Sequence, residues 1–407
     1  MSLQDNPSPS AALVAGRLDS APESAKARIS YIDGARGYLL SMMYLAHTHY
    51  TLENSFFKLH HGNFIPAMDA EFFVLISGFV CALAYSGKHK TSGMTGTLLA
   101  VLSRLKWVYL FQVMVAVLMI LLFRMFGSTI VDPTYTADFT TPLTAQIFAA
   151  VRFVYQPPYL DILMLYIALM LFIPLATLLL SKNRVISYFA IIAGLWLFVE
   201  TGLAAQSDQI VKSIFAYDRA FALRGYFQPL SYAALFYVGF YFGFIQKNKA
   251  TLPGASLLKK PPVVLFWASL GIILVAIVSC LIWLKTGHLE WLAAPERQSI
   301  SVPGFLTTLS VTYVVFFLMA RTGYAKLTDM AGNALQSALS LPFLTLLGRN
   351  SLFTYAIHAL IIFIVSYAII TTGHADSIVW KASGLVAGYL LILLFSQWKQ
   401  RHLPFLP

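Results

Sequence analysis

The stretch YIDGARGYLLSMMYLAHTHY, residues 31–50, is an apolar and aromatic run that also contains an acid, a base and an imidazole. A helix needs roughly 20 such residues to cross the hydrocarbon core of a bilayer. Asp33, Arg36 and His47 are costly to expose to lipid, so a spanning helix must turn them toward a bundle interior or a wet cavity. The stretch therefore predicts the first helix of a polytopic membrane protein with polar side chains at its centre.

The composition of the whole chain also indicates a membrane protein. Of the 407 residues, 58% are hydrophobic and only 11% are charged, and the mean hydropathy is +0.72. A soluble domain would have roughly a quarter charged residues. The two cysteines, Cys81 and Cys280, lie in separate apolar runs, which argues against a structural disulfide or a cysteine metal site.

Hydrophobic segments of spanning length recur along the chain, separated by short stretches with Pro, Gly and Lys. We predict an all-α fold, a polytopic integral membrane bundle of about ten transmembrane helices. It forms a single transmembrane domain over residues 31–397, between a disordered cytoplasmic tail at 1–30 and a second cytoplasmic tail at 398–407. The predicted spans are residues 31–50, 69–87, 104–126, 159–180, 185–204, 229–246, 262–284, 302–320, 350–372 and 378–397.

The distribution of basic residues predicts the orientation of the bundle. With a cytoplasmic amino terminus, eighteen Lys and Arg residues fall in inner segments and nine in outer segments. This excess favours both termini in the cytoplasm, and it accounts for the net charge of +11 without nucleic acid. The longer outer loops are rich in Tyr, Phe, Gln, Asp and His, which suits sugars or other polar ligands; they are residues 51–68, 127–158, 205–228 and 285–301.

Helical geometry puts Arg36 and His47 on one face of the first span. The two side chains point about 20° apart and lie roughly 16 Å apart along the axis, and Asp33 points in a similar direction. In a structural interpretation, Asp33 pairs with Arg36, and His47 is a satisfied core histidine. In a functional interpretation, His47 is a base and Arg36 binds an anionic ligand from the cytoplasm.

Three motifs resemble those of the acyltransferase family three membrane enzymes. DGARG and AHTHY reproduce that family's arginine, ten residues, then histidine, with Arg36 and His47. AEFFVLISGFV is similar to its aromatic and Ser-Gly-aromatic signature, and LLGRNSLFTYAIHALII resembles its LGR-x-S span with a later Tyr and His. The matching positions are Phe72, Phe73, Ser77, Gly78 and Phe79, then Gly348, Arg349, Ser351, Tyr355 and His358.

Within that superfamily the closest likeness is to the OpgC-type enzymes, the succinyltransferases of osmoregulated periplasmic glucans. AEFFVLISGFV, PPYLDILMLYIALMLFIPL and FQPLSYAALFYVGFYFGF resemble the second, fourth and sixth spans of that branch. The resemblance covers residues 30–395 and implies a multi-pass enzyme of a bacterial inner membrane. Such an enzyme moves an acyl group, expected to be succinyl, from cytoplasmic acyl-CoA to hydroxyls of a periplasmic glucan, and no metal is expected.

The resemblance favours the functional interpretation of the first span. His47 would take the proton of the acceptor hydroxyl as it attacks the thioester, directly or through a transient acyl-histidine. Arg36 would hold the phosphates or the succinyl carboxylate of the donor. Glu71, at the outer start of the second span, is either an interfacial charge or a third catalytic residue that holds the tautomer of His47.

Other residues are candidates for substrate binding. Ser351, Tyr355 and His358 share one face of the ninth span, where Ser351 and His358 are about 10 Å apart along the axis, too far for a direct hydrogen bond. We expect this face to contact substrate or to pack. Asp33 and Asp161 complete the predicted substrate-binding set, and the alternative for Asp161 is a residue at the membrane boundary.

Two other functional classes stay open. A transporter or carrier of a lipid-linked sugar or other polar substrate would use the same intramembrane charges as a pathway. A structural subunit would keep them as internal ion pairs. His60 and His61 are adjacent in a predicted loop and lack the i, i+4 spacing of a helical metal site.

Overall fold

The computed structural model describes residues 30–65, 67–126, 142–153, 156–203, 227–289, 299–320 and 323–403. The predicted disordered tail, apart from its last residue, and much of the three later outer loops lie outside the described residues. Within the described parts of the chain all regular elements are helices, in agreement with the predicted all-α class.

The α-helices are numbered in chain order, and two short 3₁₀ helices, Ser55–Leu59 and His61–Asn63, lie between the first two. The last helix continues into the predicted carboxy-terminal tail. The α-helices are α1 (Ser30–Leu52), α2 (Asp69–Phe126), α3 (Leu143–Val151), α4 (Asp161–Leu171), α5 (Ile173–Ser181), α6 (Val185–Glu200), α7 (Pro229–Asn248), α8 (Ala255–Lys259), α9 (Val263–Thr286), α10 (Val302–Met319), α11 (Lys326–Leu339), α12 (Pro342–Arg349), α13 (Ser351–Thr371) and α14 (Ile378–His402).

Each predicted span overlaps a helix, but the number of ten spans is not confirmed. Among the described residues, five helices are long and apolar enough to cross a membrane: α2, α9, α10, α13 and α14. The number rises to seven if the bent pairs α4–α5 and α11–α12 each form one span. α2 contains both the second and the third predicted span, with a non-helical residue between them at Gly93 (φ 64°, ψ −164°).

α1 packs against the α11–α12 pair, which lies outside the predicted spans and bends by 63°. The backbones meet so closely that a Cβ on Gly34 would lie 1.4 Å from the carbonyl oxygen of Leu339, and one on Gly37 would lie 1.9 Å from that of Leu344. Small residues allow such close approach between helices in a membrane. This interface fixes the part of α1 that carries Arg36.

The Ser-Gly motif of the second span lies at a similar interface between α2 and α7. A Cβ on Gly78 would lie 1.8 Å from the carbonyl oxygen of Phe236, and one on Gly239 would lie 2.0 Å from that of Leu75. Gly78 therefore has a packing role in this fold.

The first described helix begins on the side of the bundle where the last described helix ends. α1 and α13 run parallel, because Arg36 contacts Ser351 at one end and Thr51 contacts Ser366 at the other. α14 runs back along α13, with a hydrogen bond of 3.0 Å between the hydroxyls of Thr354 and Ser396. The amino end of α1 and the carboxyl end of α14 are therefore neighbours.

Candidate active site

His47 of α1 and His358 of α13 form a hydrogen-bonded pair. Nδ1 of His47 lies 2.8 Å from Nε2 of His358, and the ring planes differ by 22°. His358 is 2% exposed, whereas His47 is partly exposed. The pair thus has one buried ring and one that faces accessible space.

The hydrogen bonds of His358 define the proton positions on both rings. Nδ1 of His358 bonds to the backbone carbonyl of Tyr355, which can only accept. In neutral His358 the proton is therefore on Nδ1, and Nε2 accepts the proton that His47 donates from its own Nδ1. Nε2 of neutral His47 carries no proton and can take one from a ligand.

The ring of Tyr159 covers one face of His47. The two ring centroids are 4.0 Å apart with planes 20° apart. Tyr159 has a φ of 66°, a left-handed conformation that is rare for a bulky residue. Such backbone strain is concentrated at functional sites, and here it belongs to the residue that stacks on the candidate base.

Arg36 occupies the other end of the polar stripe and is 7% exposed. Its Nη2 donates to Oγ of Ser351, and its guanidinium lies 5.4 Å from the ring centroid of Phe73. Its Nε is buried and has no hydrogen-bond partner among the described residues. Because a guanidinium has five N–H donors, the contact with Ser351 leaves donors for an anionic ligand.

Asp33 does not form the expected pair with Arg36. Its Oδ2 lies 3.6 Å from Nε of Arg349 instead. The cause is the close packing of α12 on α1, where a Cβ on Gly348 would lie 1.7 Å from the carbonyl oxygen of Asp33. This contact brings the next residue, Arg349, to the Asp33 carboxylate, a neighbour that the structural interpretation did not predict.

Glu71 is buried, but it is not a hydrogen-bond partner of His47. Oε2 of Glu71 accepts from the hydroxyl of Thr308 at 2.8 Å and from the backbone N–H of Met68 at 3.2 Å. His358 makes the hydrogen bond that Glu71 was predicted to make with His47, and it does so at Nδ1 of His47. The catalytic role of Glu71 stays a prediction, and these two bonds tie it to α10 and to the start of α2.

The predicted face of α13 points into the bundle. Ser351 receives the bond from Arg36, and His358 receives the bond from His47. The hydroxyl of Tyr355 accepts from the N–H of Ile162 at 3.4 Å, which brings the neighbouring Asp161 beside α13. Substrate binding by these residues stays a prediction.

His60 and His61 meet Asp69 in a cluster that the sequence analysis missed. Nε2 of His60 lies 2.7 Å from Oδ2 of Asp69, and Nε2 of His61 lies 3.4 Å from Oδ1. Burial lowers the pKa of His61, while the Asp69 carboxylate opposes that shift. The three groups have ligand atoms within 4.8 Å of one another, as a metal site would need.

The proton positions in this cluster do not favour a metal. Nδ1 of His60 accepts from the N–H of Gly62 at 2.9 Å, so the proton of neutral His60 is on Nε2 and points at Asp69. A metal on Nε2 would need that proton on Nδ1, where it would face the Gly62 N–H. The cluster is explained as a hydrogen-bonded support of the segment between α1 and α2.

The sequence analysis also missed the direct contact between His47 and His358 and the ring of Tyr159. Both histidines were in motifs, and Tyr159 was in the segment PPYLD, but periodicity within one helix cannot give the register between two helices. Two glutamines between the ends of the stripe, Gln112 and Gln156, had no sequence signal.

Comparison with known proteins gives one family. A family model described as "OpgC protein" matches residues 28–402. No curated protein and no solved structure matches the chain at a significant level. The family match covers α1–α14, and thus all of the residues of the site.

Proposed function

The chain belongs to the OpgC protein family, and we propose that it transfers an acyl group, with succinyl as the expected group, from cytoplasmic acyl-CoA to hydroxyls of a periplasmic glucan. The family supports a glucan-modifying enzyme of acyltransferase type in a membrane. The observation that carries the proposed chemistry is the chain of hydrogen bonds from Tyr355 through His358 to His47. It leaves a proton-accepting nitrogen on a partly exposed imidazole.

His47 acts as the general base in this proposal. Its Nε2 takes the proton of an acceptor hydroxyl while the hydroxyl oxygen attacks the thioester carbonyl carbon of the donor. The carbon–sulfur bond then breaks, and the departing thiolate takes the proton from the His47 imidazolium. His358 keeps the ring of His47 in the required tautomer and accepts its Nδ1–H throughout.

Arg36 binds the donor in this proposal. Its buried guanidinium has an Nε–H group without a hydrogen-bond partner among the described residues. Arg36 lies roughly 16 Å from His47 along the axis of α1. A guanidinium recognises phosphate or carboxylate oxygens through two parallel hydrogen bonds. The donor would therefore extend along the stripe, with its anionic part at Arg36 and its thioester at His47.

The proposed orientation puts Arg36 on the cytoplasmic side of His47, with both termini in the cytoplasm of a bacterial cell and the chain in the inner membrane. It is supported by the excess of basic residues in the predicted inner segments. A carboxy-terminal reporter that is active only after export should give no signal. Export activity of that reporter would overturn the orientation.

Analysis of periplasmic glucans by mass spectrometry tests the proposal in cells with and without the gene. We expect the glucan to persist in the deletion strain and to lose only its acyl mass. Loss of the whole glucan would instead support the alternative function, a carrier of a lipid-linked sugar. Glucans with an unchanged acyl mass would contradict the proposed enzyme.

A further inference from the structure

Two buried glutamines, Gln112 of α2 and Gln156 before α4, are joined by one hydrogen bond. Nε2 of Gln112 donates to Oε1 of Gln156 at 2.5 Å. The residues are 1% and 4% exposed. Oε1 of Gln112 and Nε2 of Gln156 are buried and have no hydrogen-bond partner among the described residues.

One carbonyl oxygen and one NH₂ group lack a described hydrogen-bond partner whichever way the two amides are oriented. If both amides are turned over, the donor and acceptor of the central bond exchange, and one bare carbonyl oxygen and one bare NH₂ group still remain. A buried polar group without a partner is destabilising, and the hydrocarbon region offers no water to satisfy it. The glutamine pair therefore needs a further polar partner, and a polar ligand would supply one.

The pair lies at a depth between Arg36 and His47. Gln112 follows Phe111, whose ring stacks on Phe353 of α13 with centroids 5.8 Å apart. Phe353 lies between Ser351, the partner of Arg36, and His358, the partner of His47. Gln156 lies in the segment that leads to Tyr159, which stacks on His47.

We propose that Gln112 and Gln156 bind the amide groups of the donor's pantetheine arm, the part of coenzyme A between the phosphates and the thioester. That arm contains secondary amides, each with one N–H and one C=O group. It can donate to the bare carbonyl oxygen and accept from the bare NH₂ group. The inference rests on the proposed function, because it needs a coenzyme A thioester that runs from Arg36 to His47.

A glucan hydroxyl could make the same kinds of hydrogen bond. The depth of the pair favours the donor, because Gln112 lies on the Arg36 side of His358, whereas the acceptor in the proposed reaction reaches His47 from the opposite side. The two ligands give different results in a binding experiment, since only one of them is coenzyme A.

The test uses the full-length protein in detergent and the double variant Gln112→Met/Gln156→Met, which keeps the side-chain length and removes both amides. Three probes are titrated by calorimetry: coenzyme A, adenosine 3′,5′-bisphosphate, which lacks the arm, and a linear oligosaccharide of glucose. Thr177→Val is the matched control, because Thr177 is fully buried in α5 with a hydroxyl that also has no described partner.

We expect the double variant to bind coenzyme A about ten- to a hundredfold more weakly, the effect of losing one or two hydrogen bonds. Its affinity for adenosine 3′,5′-bisphosphate should stay within about twofold of the original, since the wild-type contacts of that probe do not include the glutamines. Its melting temperature without ligand should equal or exceed that of the wild type. Thr177→Val should bind all three probes normally.

Four results would overturn the inference. If the double variant binds coenzyme A as tightly as the wild type does, the glutamines do not contact the pantetheine arm. If the double variant loses affinity only for the oligosaccharide, the glutamines bind the acceptor. If the wild-type protein does not bind coenzyme A, the proposed donor is wrong, and the titration of the wild type alone shows this. If the double variant does not fold, the melting temperature of the wild type is measured with pantetheine and with 2-mercaptoethanol. Pantetheine should raise the melting temperature and 2-mercaptoethanol should not. Equal melting temperatures with the two compounds would also overturn the inference.

Discussion

The two ends of the polar stripe between α1 and α13 differ in how far their hydrogen bonds are satisfied. At one end, the Nδ1 atoms of His47 and His358 both have partners, and the last partner is a backbone carbonyl. At the other end, Arg36 donates to Ser351 and faces the ring of Phe73, while its Nε has no described partner.

This difference indicates two kinds of function in one stripe. A proton acceptor must have a fixed tautomer, and a chain of hydrogen bonds supplies it. A binding residue must keep donors free until its ligand arrives, and burial makes those donors costly without the ligand. Substitutions at the His47 end should therefore lower the transfer rate, and substitutions at the Arg36 end should weaken donor binding.

Apart from loss of His47 itself, the largest effect is expected for His358→Ala. Loss of the group that orients the base should lower the transfer rate by roughly a hundredfold or more, with little change in donor affinity. His358→Gln, whose side-chain oxygen can still accept from Nδ1 of His47, should recover part of the rate. Rates and coenzyme A affinities are measured on both purified variants. Equal losses in the two variants would show that hydrogen-bond acceptance by His358 is not its role.

Arg36→Lys should show the opposite pattern. Lysine keeps the charge but not the planar fork of donors, so donor binding should weaken by about 1–3 kcal/mol, with acceptor affinity unchanged. Titration with acyl-CoA and with glucan separates the two affinities. A variant that binds acyl-CoA normally but melts early would make Arg36 part of the scaffold, and Lys88, Lys90 and Arg104 would then be the next candidates for the donor.

Gly37→Ala should destabilise the Arg36 end through packing alone. The new methyl group would lie 1.9 Å from the carbonyl oxygen of Leu344, and overpacking of this kind costs about 1–3 kcal/mol. Gly194→Ala in α6 is the matched control, because a Cβ there has open space within 4 Å. Thermal unfolding in detergent should show a lower melting temperature for the first variant only. Equal melting temperatures would mean that α1 and α12 can separate without loss.

Asp33→Asn should have the smallest effect. Asp33 is buried, but its partner Arg349 is 40% exposed and can be hydrated when the carboxylate is removed, so the loss of the pair should cost no more than about 1 kcal/mol. The melting temperature and the acyl-CoA affinity should both stay close to those of the wild type. A large loss of stability would restore Asp33 as a partner of the buried Arg36 charge.

Much of the fold followed from the sequence because spanning length and helical period are properties of single segments. The polar face of α1 and the inward face of α13 were predicted from spacing within each helix. Contacts between helices were harder to predict. The bond from His47 to His358, and that from Glu71 to Thr308, depend on the relative depth of two helices, which no spacing within one helix encodes.

Backbone packing explains the other differences. Asp33 meets Arg349 because Gly348 lets α12 approach α1, a contact between residues far apart in the chain. The number of candidate spans is lower because α2 joins two predicted spans in one long helix with a break at Gly93, and because α1, α6 and α7 are not among the described helices that are long and apolar enough to cross a membrane. Hydropathy detects apolar length and does not detect such joins or bends.

The most direct test of the central claim is His47→Ala in cells, with the variant present in the membrane at the level of the wild type. Mass spectrometry of the periplasmic glucans measures the result. We expect an intact glucan without its acyl groups, because the variant lacks the imidazole nitrogen that takes the hydroxyl proton in the proposed reaction. Glucans acylated to the wild-type level by the His47→Ala variant would contradict the assignment of His47 as the base.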